Sequence, residues 1–198
     1  MHQQAKPIYF VILLAGATLM ACSTPAPINL YLLNPIKAVD VLKPSKRASS
    51  IVALTSITLP AYLARRQIVT RSSSNQLKLA EFDRWGGNLR KNITQTLIKN
   101  ISTRVQQSQL NIIPLQSDLS ADMNIELEIS RFERFPDDKV YLSSMWRIID
   151  RSGQPVAIHN ADFSIKVIDK SYDATVTSMS LLLADLSQQI ANALLHQK

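Results

Sequence analysis

Apolar and polar residues alternate with period two through the middle of the chain. Met123, Ile125, Leu127 and Ile129 are interleaved with Asn124, Glu126, Glu128 and Ser130. That is the signature of a strand with one buried face. Phe132 is out of phase with the series, which predicts a bulge near Ser130–Arg131. Val140–Ile149 and Val156–Val167 continue in strand character. Pro136-Asp137-Asp138 and Arg151-Ser152-Gly153-Gln154 separate the three segments as turns, so an antiparallel meander is expected. Upstream, Leu30–Leu33, Ile51–Leu59, Gln67–Arg71, Gln76–Phe82 and the short Asn111–Pro114 also read as strands. Ser72–Asn75 forms a hairpin-like link. Two stretches carry a period near four. Trp85, Leu89, Ile93, Leu97, Ile101 and Val105 mark one helix face, with Ile98 alongside. Val176, Met179, Leu183, Leu186, Ile190 and Leu194 mark a second, over about Ala174–His196. Gly86 and Gly87 oppose a helix start at Trp85. Either the helix begins later with Asn88 as its cap, or another segment packs against the bare backbone. Two amphipathic helices and six or seven strands predict an α+β fold, with both helices packed on one face of a mixed, mostly antiparallel sheet.

The first segment has neither period. Ile8–Met20 is a 13-residue apolar run, broken only by Gly16 and Thr18, behind a short stretch with Lys6 and no acid. A membrane-spanning helix needs about 20 apolar residues. Thirteen after a positive start is the size of a signal-peptide core. The run ends in Leu19-Met20-Ala21-Cys22, and Cys22 is the one cysteine of the chain. Leu19-Met20-Ala21-Cys22 resembles the bacterial lipobox, in which the Cys becomes the acylated N-terminus of the mature protein. The lipoproteins it resembles are sorted by the next residue, where Asp retains them in the inner membrane. Here that residue is Ser23, so the expected address is the outer membrane, facing the periplasm. The expected organisation is a signal peptide over 1–21, a lipidated tether over 22–29 with Pro25 and Pro27, and one α+β domain over 30–198.

Composition narrows the function. The 198 residues hold four Gly and three His. No Gly-rich phosphate loop is present, and no cofactor or metal is expected. Asp137-Asp138 reads as a polar turn, not a catalytic pair. His159 with Asp162 lacks any strained nucleophile turn. No catalytic residue is expected. The net charge of +7 divides unevenly along the chain: residues 22–117 hold thirteen Lys and Arg against three acids, and residues 118–198 hold eight against twelve. A basic surface including Lys37, Lys43, Lys46, Arg47, Arg65, Arg66 and Arg71 could meet anionic headgroups, an acidic partner or a neighbouring subunit. Trp85 and Trp146 are each candidates for core or for docking. Arg65, Arg66, Arg71 and Trp146 are the candidate surface residues for partner or membrane.

Leu59-Pro60-Ala61-Tyr62-Leu63-Ala64-Arg65, Ile68-Val69-Thr70-Arg71 and Trp85-x-x-x-Leu89 occur in that order. They are followed by Met123-Asn124-Ile125-Glu126-Leu127, Phe132, Asp138-Lys139-Val140, Trp146 and Gly153-Gln154. This sequence of blocks resembles the ABC-type transport auxiliary lipoproteins of the PqiC/YmbA type, over about residues 28–196. The resemblance implies an outer-membrane lipoprotein that partners an MCE-domain transporter protein, in assemblies linked to phospholipid movement and envelope integrity. A homo-oligomeric ring is a further partner expectation, and nucleic acid is not one. Two other readings stand beside it: an activator of a peptidoglycan synthase, and an outer-membrane assembly factor. The first needs a long linker. About eight residues before Leu30 reach roughly 25–30 Å, which is too short to cross the periplasm.

Overall fold

The computed structural model describes residues 26–37, 50–114 and 120–196. The expected signal peptide, Cys22, Ser23, Lys43, Lys46 and Arg47 lie outside the described residues. Eight strands form one sheet: β1 (Asn29–Tyr31), β2 (Ser50–Thr58), β3 (Gln67–Arg71), β4 (Leu77–Trp85), β5 (Leu110–Pro114), β6 (Met123–Arg134), β7 (Lys139–Asp150) and β8 (Pro155–Lys166). The expected six or seven becomes eight because the short segments β1 and β5 both pair. A single 3-10 turn, Ala61–Leu63, links β2 to β3. Among the described residues the helices are α1 (Leu89–Val105) and α2 (Tyr172–His196).

The long strand β6 organises the sheet. One of its edges is taken by β7, antiparallel over almost its whole length, and β8 pairs β7 in turn. This is the expected meander. The other edge is shared. β2 runs parallel to Met123–Glu128, and β3 meets β6 further on, at Arg134. β5 flanks β2, while β4 and then β1 extend from β3. The sheet is mixed, and its longest ladders are antiparallel. The register of β6 against β7 slips between Ile129 and Arg131, which is the bulge that the phase of Phe132 predicts. The extra residue keeps Phe132 on the same face as Ile125, Leu127 and Ile129, and all four are buried. It also turns Glu133 to the opposite face.

Both helices cover the first of these faces. In α1 the predicted stripe Leu89, Ile93, Leu97, Ile101 and Val105 is buried, and in α2 so is the whole predicted stripe. Trp85 does not belong to the helix. It closes β4 in register with Tyr31, and α1 starts four residues later behind Asn88. The Asn88 side chain accepts a hydrogen bond from the Lys91 N–H at 3.0 Å, satisfying one donor of the open first turn. Asn88→Ala is expected to lower stability by about 1 kcal/mol, read as a shift of the urea midpoint at unchanged slope. Gly86 has its own reason to be glycine: a Cβ there would stand 3.3 Å from Leu32 Cδ2. The bare backbone is thus also packed upon, as its sequence suggested.

Candidate functional site

The N-terminal segment is pinned to the helices by side chains that apolar periodicity does not reveal. On α1, Asn92 accepts from the Leu33 N–H at 2.7 Å and donates to the Leu33 carbonyl at 3.3 Å. Asn100 accepts from the Ile36 N–H at 2.8 Å. On α2, the Ser180 hydroxyl accepts from the Asn34 N–H at 3.1 Å. A segment without a regular partner strand thereby satisfies its backbone groups. Asn92, Thr96 and Asn100 recur every four residues beside the apolar stripe. That spacing is the signal by which a polar seam on α1 could have been found.

Just before this segment, β1 lies alongside the end of β4, with Leu30 opposite Arg84 and Tyr31 opposite Trp85. The Gly86 N–H closes the pair on the Tyr31 carbonyl at 2.8 Å. Tyr31 donates to Asp83 at 2.9 Å, and burial together with that bond pushes its phenol up to about 12. Beside this pair opens a cleft of about 830 Å³. Arg65 and Arg66 enter it from the loop after the 3-10 turn, Arg84 from β4 and Arg90 from the first turn of α1. Ile28, Leu30, Leu59 and Trp85 supply its apolar lining, and no carboxylate contributes. The first turn of α1 also carries no acid. Trp85 is buried, while Ile28 and Leu30 remain 51% and 68% exposed.

The structure places Arg65 and Arg66 in one cleft with Arg84 and Arg90. It sends Arg71 elsewhere. The Arg71 guanidinium donates from Nε to Glu133 at 2.7 Å and lies over the rings of Tyr62 and Phe135. Glu133 is fully buried, and also accepts from the Tyr62 hydroxyl at 3.0 Å and the Phe132 N–H at 2.8 Å. The bond to Glu133 holds the Arg71 guanidinium above its usual range, and burial with the Glu133 charge raises the Tyr62 phenol. Both therefore stay donors. Arg71 compensates an internal carboxylate, so it is not a free surface cation. Trp146 is corrected as well. It is 1% exposed, stacks on His159 with centroids 4.6 Å apart, and donates to Gln189 of α2 at 3.3 Å. A residue so enclosed offers no surface to a partner. No group of His, Cys, Asp and Glu suited to a metal ion occurs among the described residues.

This strand order and pair of helices match proteins of known structure. An uncharacterized protein of known crystal structure superposes with a TM-score of 0.70 at 19% identity, covering 85% of this chain and 99% of the other. A Xanthomonas campestris protein of the DUF330 family gives 0.61 at 11% identity, covering 84% and 93%. These show the shared fold. The deciding observation is in the sequence: residues 31–191 match the family model described as the ABC-type transport auxiliary lipoprotein component. The chain belongs to that family. Among its relatives is the intermembrane transport lipoprotein PqiC of Escherichia coli K12, 23% identical over 145 residues, which are 73% of this chain and 75% of that protein. The Shigella flexneri PqiC matches to the same extent. A transport auxiliary component is not a class of enzyme. No helix among the described residues is long and apolar enough to cross a membrane.

Proposed function

We propose that this transport auxiliary lipoprotein is a non-catalytic subunit of a trans-envelope, MCE-type lipid-transport system, docking the transporter at the outer membrane and supporting envelope integrity. The observation that carries the reading is Cys22. The one cysteine of the chain stands directly after Leu19-Met20-Ala21, seven residues ahead of β1 in a domain of this family. Acylated there, it anchors the protein essentially permanently, because multiple acyl chains bind far more strongly than a single one. The mechanism is tethering: Cys22 holds one end in the leaflet and the α+β domain engages an MCE-domain protein. Ser23 supplies the outer-membrane address.

Palmitate labelling with membrane fractionation tests the anchor. The wild-type chain is expected to take up label and sediment with the outer membrane. Cys22→Ser is expected to lose both label and sedimentation, and Ser23→Asp to move the protein to the inner-membrane fraction. Continued outer-membrane sedimentation of unlabelled Cys22→Ser would overturn the anchor. Affinity capture of the labelled protein tests the partner. An MCE-domain protein is the expected capture, and a β-barrel assembly protein or a peptidoglycan synthase in its place would overturn the transport reading.

A further inference from the structure

We propose that the cleft formed by Arg65, Arg66, Arg84 and Arg90 binds the phosphate-bearing headgroup of an anionic bilayer lipid, with Ile28 and Leu30 meeting its acyl region. The choice of a bilayer lipid rests on the anchor proposed at Cys22.

The cleft cations are not spent on internal charges. Four ion pairs occur among the described residues, and they use Arg71, Arg147, Arg151 and Lys170. None of the four cleft arginines is among them. Among the described residues, Arg65, Arg66 and Arg90 have no side-chain hydrogen bond, and Arg84 Nε is buried without a partner. A shielded N–H donor without an acceptor costs free energy, on the order of 1–3 kcal/mol. An incoming oxyanion removes that cost and gains charge-assisted bonds. Guanidinium is the side chain suited to phosphate, since its planar fork of donors matches the oxyanion geometry.

Shape and position select the lipid. A free phosphate would need only the arginines. This cleft sets Leu30 directly opposite Arg84 in the β1–β4 register, so apolar and cationic groups share one opening. Exposed Ile28 and Leu30 next to guanidinium groups fit the boundary between headgroup and acyl chain. Ile28 lies only six positions after Cys22. Even fully extended, that stretch spans about 20 Å. An acylated Cys22 therefore keeps this cleft, and no more remote surface, close to the leaflet.

Gly87 provides a clean probe. A Cβ on it meets nothing within 4 Å, and Gly87 lines the cleft. Gly87→Glu brings a carboxylate to the arginines from a position whose Cβ stands in open space. The full chain, purified in non-ionic detergent, would be titrated with dihexanoyl-phosphatidylglycerol while the fluorescence of cleft-lining Trp85 is followed. Saturable binding is expected. Dihexanoyl-phosphatidylcholine and inorganic phosphate are each expected to bind about tenfold more weakly or worse. Gly87→Glu and Arg65→Glu/Arg66→Glu are each expected to weaken phosphatidylglycerol binding by about tenfold or more. Unaltered urea midpoints show that the variants fold. If the double variant does not fold, Gly87→Glu decides.

Equal affinity for phosphatidylcholine, equal affinity for inorganic phosphate, or undiminished binding by Gly87→Glu would each overturn the proposal. Loss of a captured protein partner in Gly87→Glu with lipid binding intact would assign the cleft to that protein and overturn it too. Palmitate labelling of the same preparations separates the two readings. Absent label removes the anchor whatever the titration shows. Label without phosphatidylglycerol binding removes only the cleft.

Discussion

Replacing Arg71 with alanine is expected to destabilise the protein by about 3–5 kcal/mol, the cost of breaking a buried ion pair by removing one partner. Glu133 is the reason. Its side chain has no exposure, and the Arg71 guanidinium contacts it at 2.7 Å. Without Arg71 the carboxylate keeps the Tyr62 hydroxyl and the Phe132 N–H. Two neutral donors do not replace a cation in a site closed to water. Urea unfolding of the purified protein measures the effect. Converting both residues, as Arg71→Met/Glu133→Met, is expected to recover most of the loss, because an apolar pair of similar volume leaves no buried charge. The lipid-binding cleft lies outside this cluster, so Arg71→Met/Glu133→Met is expected to bind phosphatidylglycerol as the wild type does. A single Arg71→Ala variant with an unchanged midpoint and weakened membrane attachment would instead make Arg71 a surface cation.

Trp146→Ala is expected to cost a similar amount, about 3–5 kcal/mol, from lost burial and the cavity left behind. Trp146 sits in the middle of β7, paired with Leu127 of β6 and His159 of β8, and α2 closes over it through Gln189. Three strands and a helix thus lose contacts together. Trp146→Phe keeps most of the aromatic volume and removes the 3.3 Å bond to Gln189. Its expected cost is smaller, about 1–3 kcal/mol with the Gln189 acceptor left unpaired. Thermal and urea midpoints should fall for both variants in that order. Loss of partner capture at an unchanged midpoint would contradict the core assignment.

Elements whose period reports burial are legible in residue order. The β6–β7–β8 meander, the bulge near Ser130–Arg131 and the buried stripes of α1 and α2 follow from which residues alternate and which recur every four. A strand or helix shows its buried side locally, through side-chain geometry alone. The family blocks, and the resemblance of Leu19-Met20-Ala21-Cys22 to a lipobox, are likewise properties of residue order. The end of β4 is less legible. Trp85 fits the apolar spacing of α1, yet it is held in the sheet by pairing with Tyr31, and Asn88 is the residue that starts the helix.

Tertiary structure alone decided which charges are free. In the sequence, Arg65, Arg66 and Arg71 belong to one basic run. The fold commits Arg71 to Glu133, sixty-two positions away, and gathers Arg84 and Arg90 beside Arg65 and Arg66. Nothing in the local sequence distinguishes them, because an ion pair depends on which distant element is brought alongside. The same holds for Trp146, whose period marks a strand but whose enclosure comes from α2. Residue order by itself determined the strands, the helix faces and the bulge. Long-range pairing, with β2 and β3 sharing one edge of β6 and β1 laid against β4, decided where the cleft opens and which arginines line it.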